Sequence, residues 1–235
     1  MDTQTRHALK HDRFVDATAT SLDWLQTNRT NAITGVVAVV VLAALIITSV
    51  VVYNSRSAKA QSLFGQAMDI YDTPLAQPGQ EQLPGETTYP TAAARAKAAN
   101  PLFVQVADHY NWLKTGANAE YFAGLTYLDM GQTASAQSEL EKAANSHDSG
   151  LAALAKMALA GLYRQTGRDD QAVDLYRQVM KNPTLTVPAS SAKLQLAGLY
   201  ETTNPAEAKR LYAELKDQDK TTAAGQIAAQ KLAGK

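Results

Sequence analysis

The chain has 235 residues, in which 22 lysines and arginines balance 22 aspartates and glutamates, and it contains no cysteine. Because the net charge is zero, no basic field is available to attract nucleic acid, and we predict no nucleic-acid partner. The lack of cysteine excludes disulfides, cysteine-ligated zinc and thiol catalysis.

The first 31 residues form a polar segment in which apolar side chains recur at helix-like spacing. Residues 10–28 are therefore predicted to form a weakly amphipathic helix. His7 and His11 stand four residues apart, a spacing that can suit a metal ion, but no third ligand stands near them. We interpret both as solvated side chains and predict no metal site in the chain.

An uncharged apolar run over residues 32–53 follows, with no charge between Arg29 and Arg56. As one helix it is long enough to cross a hydrocarbon core of roughly 30 Å. A cleaved signal peptide is the alternative, because residues 58–60 read Ala-Lys-Ala, which resembles a cleavage site. The apolar part of a signal peptide has roughly 7–15 residues, and this run is longer. We therefore interpret residues 32–53 as an uncleaved transmembrane helix.

The distribution of basic residues around this run predicts its orientation. Lysines and arginines are more numerous just before the apolar run than just after it, and such residues favour the cytoplasmic side of a span. Residues 1–31 are therefore predicted to be cytoplasmic, and residues 54–235 to lie outside the cytoplasm. The basic residues compared are Arg6, Lys10, Arg13 and Arg29 before the run, and Arg56 and Lys59 after it.

Beyond the apolar run, the composition shifts towards alanine, leucine, glutamine and lysine, which favours helices. Residues 57–71 have helical periodicity, and prolines and glycines then predict an exposed loop over residues 73–90. Residues 91–100 are alanine-rich and predicted to be helical. Pro101 is predicted to open a further helix, because proline is favoured at the first helical position.

A repeat occupies the last half of the chain. The sequence Leu-Ala-Gly-Leu-Tyr at residues 159–163 recurs 37 residues later at residues 196–200, and residues 122–127 form a looser copy. Each copy is followed by a turn residue and then by apolar residues at helical spacing. The pattern predicts an all-α fold of helical hairpins, in units of about 117–148, 153–184 and 190–218.

The turn of each hairpin is predicted from the residue that ends its first helix. Gly131, Gly167 and Asn204 stand at this place, and we expect each to adopt the left-handed conformation that glycine takes freely and asparagine tolerates. If the copies are aligned on their tyrosines, three small residues stand at equivalent places and predict close helix contact: Gly124, Ala160 and Ala197. Alignment on Ala-Gly-Leu instead shifts the first unit by one residue.

The period of 36 to 37 residues, with its order of small residue, tyrosine, glycine, alanine and apolar residue, resembles the tetratricopeptide repeat. An ordinary antiparallel helical bundle is the alternative. With the apolar run at 32–53, the whole plan resembles the ancillary subunit of the bacterial Sec translocon and its relatives. This resemblance implies an inner-membrane protein with one span and a periplasmic repeat domain. Translocon subunits, exported polypeptides or periplasmic chaperones are the implied partners.

A structural scaffold for an envelope or cell-division complex is the alternative function, because it needs the same anchor and binding surface. We find no catalytic constellation, and predict no enzymatic activity, no cofactor and no small-molecule substrate. Tyr110 and Trp112 are interpreted as core residues rather than binding residues. The groove positions of the repeat family, transferred on the tyrosine register, imply partner binding by Asn118, Tyr121, Leu125, Asp129, Met157, Arg164, Gln165, Leu194, Glu201 and Thr202.

Overall fold

A computed structural model describes residues 27–76 and 87–234, and the prediction of an all-α fold is confirmed there. One long apolar helix is followed by a helical domain. The chain divides into two compact units, Met1–Ser55 and Arg56–Lys235. His7 and His11 lie outside the described residues. Most of the predicted helix over residues 10–28 and the middle of the predicted loop over residues 73–90 also lie outside them.

The first described helix, α1, runs from Arg29 to Tyr71 and includes both the apolar run and the helix predicted over residues 57–71. The apolar side chains of the run are exposed in this structure. The two threonine hydroxyls within it, at Thr34 and Thr48, donate hydrogen bonds to carbonyls of their own helix at 2.8 Å. By length and composition, α1 is therefore suited to be a membrane anchor or a signal sequence, and no other helix among the described residues is.

The second helix, α2, runs from Ala92 to Tyr110, so the prediction that Pro101 opens a helix is wrong. The helix begins earlier because Thr91 caps it, its hydroxyl accepting a hydrogen bond from the Ala94 N–H at 3.0 Å. Pro101 then costs only one main-chain bond, whose acceptor would be the carbonyl of Lys97. Because Lys97 is exposed, water can replace that bond.

Seven further helices follow in the described part of the chain, and each helix from α2 onwards packs against the next. In addition, α3 contacts α5 and α7 contacts α9, so the first helices of the first two hairpins lie side by side. The helices are α3 (Lys114–Asp129), α4 (Thr133–Ala144), α5 (Ser149–Gln165), α6 (Asp169–Lys181), α7 (Ala189–Thr203), α8 (Pro205–Gln218) and α9 (Ala223–Leu232).

The turns inside the hairpins agree with prediction in two of three places. Gly131 and Gly167 are both left-handed, with φ of 71°. Asn204 is not, with φ of −150° and ψ of 76°. Pro205 follows it and opens α8, and the residue before a proline is pushed towards extended conformations. Asn204 instead caps α8, its side-chain oxygen accepting a hydrogen bond from the Glu207 N–H at 3.3 Å.

The three small residues of the repeat occupy buried positions. Gly124, Ala160 and Ala197 are buried, whereas Gly161 and Gly198 are partly exposed. A Cβ atom added to Gly124 would stand 2.6 Å from Leu140 Cγ, so α3 approaches α4 through this glycine. These positions support the alignment of the copies on their tyrosines.

Candidate protein-binding surface

The ten residues expected to bind partners lie on the first helices of the three hairpins, and none of them is fully buried. We call this set the first-helix surface. Its four apolar or aromatic members are half-buried, and its polar members are exposed. The half-buried members are Tyr121 and Leu125 on α3, Met157 on α5 and Leu194 on α7, and the exposed members are Asn118, Asp129, Arg164, Gln165, Glu201 and Thr202.

The half-buried members combine packing with exposure. Tyr121, Met157 and Leu194 pack against the main hydrophobic core, which spans α4 to α9. Tyr121 also places its ring edge against Phe122, with 5.4 Å between the ring centroids, and burial raises the pKa of its phenol. Side chains held in this way keep a defined position while part of their apolar surface faces outward. Such groups lose little conformational entropy when a partner covers them.

Asp129 is linked to residues that the sequence analysis did not identify. The Tyr71 hydroxyl donates a hydrogen bond to Asp129 Oδ2 at 3.1 Å, and burial together with the Asp129 carboxylate raises the pKa of Tyr71 to about 12. The guanidinium of Arg95 lies 5.0 Å from the centroid of the Tyr71 ring and donates to the Thr73 carbonyl. Asp129 therefore helps to hold Tyr71 against α3, and Arg95 on α2 binds the start of the following loop.

Glu201, on the first-helix surface, is held by residues of two later helices. Glu201 Oε1 accepts hydrogen bonds from the Tyr212 hydroxyl at 2.7 Å and from Lys231 Nζ at 2.9 Å. These two bonds lower the pKa of Glu201, and the positive charge of Arg164 acts in the same direction. Burial, and then the Glu201 carboxylate, raises the pKa of Tyr212. Tyr212 on α8 and Lys231 on α9 thus hold the carboxylate of Glu201 in place.

The interpretation of Trp112 as a core residue is wrong, because 52% of its surface is exposed. Trp112 lies in the short connection between α2 and α3. Tyr110 and Leu113 on either side of it are buried, so they take the core positions and direct Trp112 outward. The sequence alone could not predict this exposure, because a tryptophan in a turn can be either buried or exposed. The packing of the folded chain decides between the two.

Trp112 lines a cavity of about 460 Å³ that the sequence analysis did not predict, and we call it the Trp112 cavity. It lies between the α2–α3 connection, the start of α3, and the end of α4 with the loop to α5. Among the residues of the first-helix surface, Asn118 contributes to it. Its walls comprise Asn111, Trp112, Leu113, Lys114, Ala117, Asn118, Glu120, Lys142, Asn145, Ser146, His147, Asp148 and Leu151.

A second cavity, of about 370 Å³, adjoins the first. The loop between α4 and α5 separates the two, because Asn145, Ser146 and His147 line both. The side-chain amides of Asn145, Gln178 and Asn182 contribute to the second cavity, and we call it the amide cavity.

The walls of the Trp112 cavity carry two lysines and two acidic residues, Lys114, Lys142, Glu120 and Asp148. The pKa of Glu120 is raised first by burial and then by the carboxylates of Glu139 and Asp108, and Lys142 only partly opposes this. Lys142 Nζ is 2.7 Å from Glu139 Oε1. The other oxygen of that carboxylate, Oε2, is buried and has no hydrogen-bond partner in the described part of the chain. Glu139 and Asp108, which act on Glu120, do not line the cavity themselves.

Within the described residues, no group of three or more histidine, aspartate or glutamate side chains could hold a metal ion. The chemistry that these surfaces offer is recognition by apolar contact, hydrogen bonds and charge.

No known protein family, curated protein or solved structure matches the chain.

Proposed function

We propose that this chain is a membrane-anchored helical-hairpin protein that binds other polypeptides through its first-helix surface. The observation that carries the proposal is the repeated arrangement on α3, α5 and α7, where half-buried apolar side chains stand beside exposed charged ones. Stacked hairpins present such surfaces to extended segments of other chains. The mixture of charges favours broad recognition over a single strong electrostatic preference.

Helix α1 supports the anchoring part of the proposal. The apolar side chains of residues 32–53 are exposed, and the hydroxyls of Thr34 and Thr48 donate hydrogen bonds to carbonyls of the same helix. A helix pairs its main-chain polar groups within the segment, which is what a span in a bilayer requires. We propose one uncleaved span over residues 32–53, in the inner membrane of a bacterium, with residues 1–31 in the cytoplasm and the repeat domain in the periplasm.

The orientation predicts a simple labelling result. Because the natural chain lacks cysteine, Ser21→Cys and Ser138→Cys each introduce a single thiol, and Ser138 is exposed. A membrane-impermeant maleimide, added to cells with a permeabilised outer membrane, is expected to label the Ser138→Cys variant alone. Labelling of the Ser21→Cys variant alone would show the opposite orientation, with residues 1–31 outside the cytoplasm.

The intact mass of each detergent-extracted variant tests whether the apolar run stays attached as an uncleaved span. A mass that includes residues 1–60 is expected, because the apolar run exceeds the length of a signal peptide. A mature chain beginning at Gln61 would show that the segment is a cleaved signal.

The first-helix surface is tested by removing two of its half-buried side chains. The double variant Tyr121→Ala, Met157→Ala of the detergent-solubilised protein is expected to weaken binding to an array of peptides from exported proteins about 10- to 100-fold. The matched control is Leu175→Ala, Met180→Ala, which removes half-buried side chains of α6 that pack against the same core. Equal loss of binding in both double variants would indicate a general packing defect and refute the surface.

The sharper proposal is that the protein associates with the Sec translocon and assists exported chains. It is supported by the resemblance in plan: one anchor followed by a repeat domain. Purification in a mild detergent, with identification of the proteins that co-purify, tests it directly. Translocon subunits, exported polypeptides or periplasmic chaperones are the expected partners. Recovery of cell-wall or cell-division proteins instead would favour the structural scaffold.

A further inference from the structure

We propose that the repeat domain contacts the bilayer through three loops at one end of its helices, where Trp112 and Leu185 enter the lipid headgroup region. The three loops are residues 111–113, 145–148 and 182–188, and together we call them the loop edge. The proposal rests on the uncleaved span proposed above. It adds a second attachment of the protein to the membrane.

The three loops are neighbours in the folded chain. The first and second loops line the Trp112 cavity together. The second and third loops line the amide cavity together, the third through Asn182 and Thr184. A Cβ atom added to Gly150, just after the second loop, would stand 2.8 Å from Oγ1 of Thr186 in the third. The loops therefore form one continuous edge at the same end of the helices.

The loop edge presents two large apolar side chains. Trp112 in the first loop is 52% exposed, and Leu185 in the third loop is fully exposed. Outside residues 32–53, these are the two most exposed large apolar side chains in the part of the chain that the structure describes. Tryptophan is enriched at membrane–water interfaces, and an exposed leucine side chain gains free energy when it leaves water. Both side chains therefore suit contact with a bilayer surface.

The chain itself tethers the first loop near the membrane. Ala60 is the first buried residue after the apolar run, and it belongs to one hydrophobic cluster with Tyr110 and Leu113, which stand on either side of Trp112. Ala60 follows Tyr53, where the apolar run ends, by seven residues, so covalent geometry keeps these two residues within about 25 Å of each other. A bilayer that holds the run is therefore the large apolar surface nearest to Trp112.

The direction of α2 shows which end of the helices is tethered. The Arg95 guanidinium lies 5.0 Å from the centroid of the Tyr71 ring, and the ring of Phe103 meets that of Phe64 at 5.5 Å. Because later residues of α2 meet earlier residues of α1, α2 runs antiparallel to the last part of α1. The loop after α2 therefore lies on the side of the residues that follow the span in the sequence. The turns inside the hairpins lie at the other end of the helices.

The acidic residues separate the same two ends. Within the loop edge Asp148 is the single acidic residue, and its carboxylate accepts hydrogen bonds from two main-chain N–H groups of α5. At the opposite end, Asp129 is the last residue of α3, and Asp169 and Asp170 begin α6. Anionic lipid headgroups repel carboxylates. The loop edge is therefore the end of the helices that better suits a headgroup region.

The test uses the full-length protein in lipid nanodiscs, with Trp24→Phe so that Trp112 is the single tryptophan. One set of discs contains phospholipids brominated near the headgroup end of their acyl chains, which quench a tryptophan that touches them. We expect the emission of Trp112 to be lower in these discs than in unbrominated ones. Leu185→Trp, combined with Trp24→Phe and Trp112→Phe, is expected to show the same loss, and the full exposure of Leu185 makes this substitution tolerable.

Gln132→Trp, combined with the same two phenylalanine substitutions, is the matched control. Gln132 is exposed in the turn of the first hairpin, at the other end of α3 from Trp112. Its emission is expected to be equal in the two kinds of disc, and circular dichroism checks that every variant keeps its helix content. Quenching of Trp112 that is no stronger than that of the Gln132→Trp probe would overturn the proposal. Quenching of Trp112 without quenching of the Leu185→Trp probe would overturn it as well.

The failure of this inference can be told from failure of the proposed function. A mature chain beginning at Gln61, in the intact mass of the extracted protein, would refute the anchor and the loop edge together. A retained span with unquenched Trp112 would refute the loop edge alone. Binding of array peptides through Tyr121 and Met157 is measured in detergent, so its outcome does not depend on the loop edge.

Discussion

Replacing Phe103 with alanine is expected to lower the free energy of unfolding by about 3–5 kcal/mol, the usual cost of removing a fully buried aromatic ring. Phe103 has no exposed surface. Its ring stacks on that of Phe122, with 5.4 Å between the centroids, and meets the edges of Phe64 and Tyr71 at 5.5 and 6.1 Å. The cluster joins the end of α1 to α2 and α3, so its loss affects three helices together.

Thermal and urea denaturation of the detergent-solubilised protein, followed by circular dichroism, measures the change. Phe122→Ala is the matched control, because Phe122 has the same chemistry and lies in the same cluster but is only half-buried. We expect its cost to be clearly smaller than that of Phe103→Ala. A loss below about 1 kcal/mol for Phe103→Ala would contradict the packing of this cluster.

The parts of the fold that the sequence predicted are those governed by short-range patterns. Gly131 and Gly167 end their helices in a left-handed turn because the conformation depends on a few neighbouring residues, and the repeat marks the same place twice. Asn204 failed for an equally local reason, since Pro205 restricts the residue before it. The rule for turns was correct, but a proline one position later overrides it.

Contacts between distant segments could not be predicted from such patterns. Tyr71 and Asp129 are 58 residues apart, and only the packing of three helices brings their oxygen atoms within 3.1 Å. The exposure of Trp112 has a similar origin, because Tyr110 and Leu113 both occupy core positions and leave Trp112 outside. The Trp112 cavity needs the end of α4 to lie beside the start of α3, so no single stretch of sequence contains it.

The alignment of the copies on their tyrosines predicts that two glycine substitutions change the free energy of unfolding in opposite directions. Gly124→Ala places a Cβ atom 2.6 Å from Leu140 Cγ and 3.3 Å from the Leu140 main-chain nitrogen. Leu140 is fully buried, so either its side chain or the whole of α4 must shift. This overpacking costs about 1–3 kcal/mol, and the preference of a helix for alanine over glycine offsets about 1 kcal/mol of it. We therefore expect a net destabilisation of up to about 2 kcal/mol.

Gly161→Ala is the matched control, because Gly161 occupies the same place in the Ala-Gly-Leu motif of the next hairpin. A Cβ atom there would meet no atom within 4 Å, and at Gly198 it would meet only the Tyr212 hydroxyl at 3.8 Å. Gly161→Ala and Gly198→Ala are therefore both expected to raise the free energy of unfolding by up to about 1 kcal/mol. Urea denaturation of the three variants side by side measures the contrast. If Gly124→Ala stabilises the protein as Gly161→Ala does, α3 and α4 do not approach through Gly124, and the alignment of the first hairpin on Ala-Gly-Leu is the correct one.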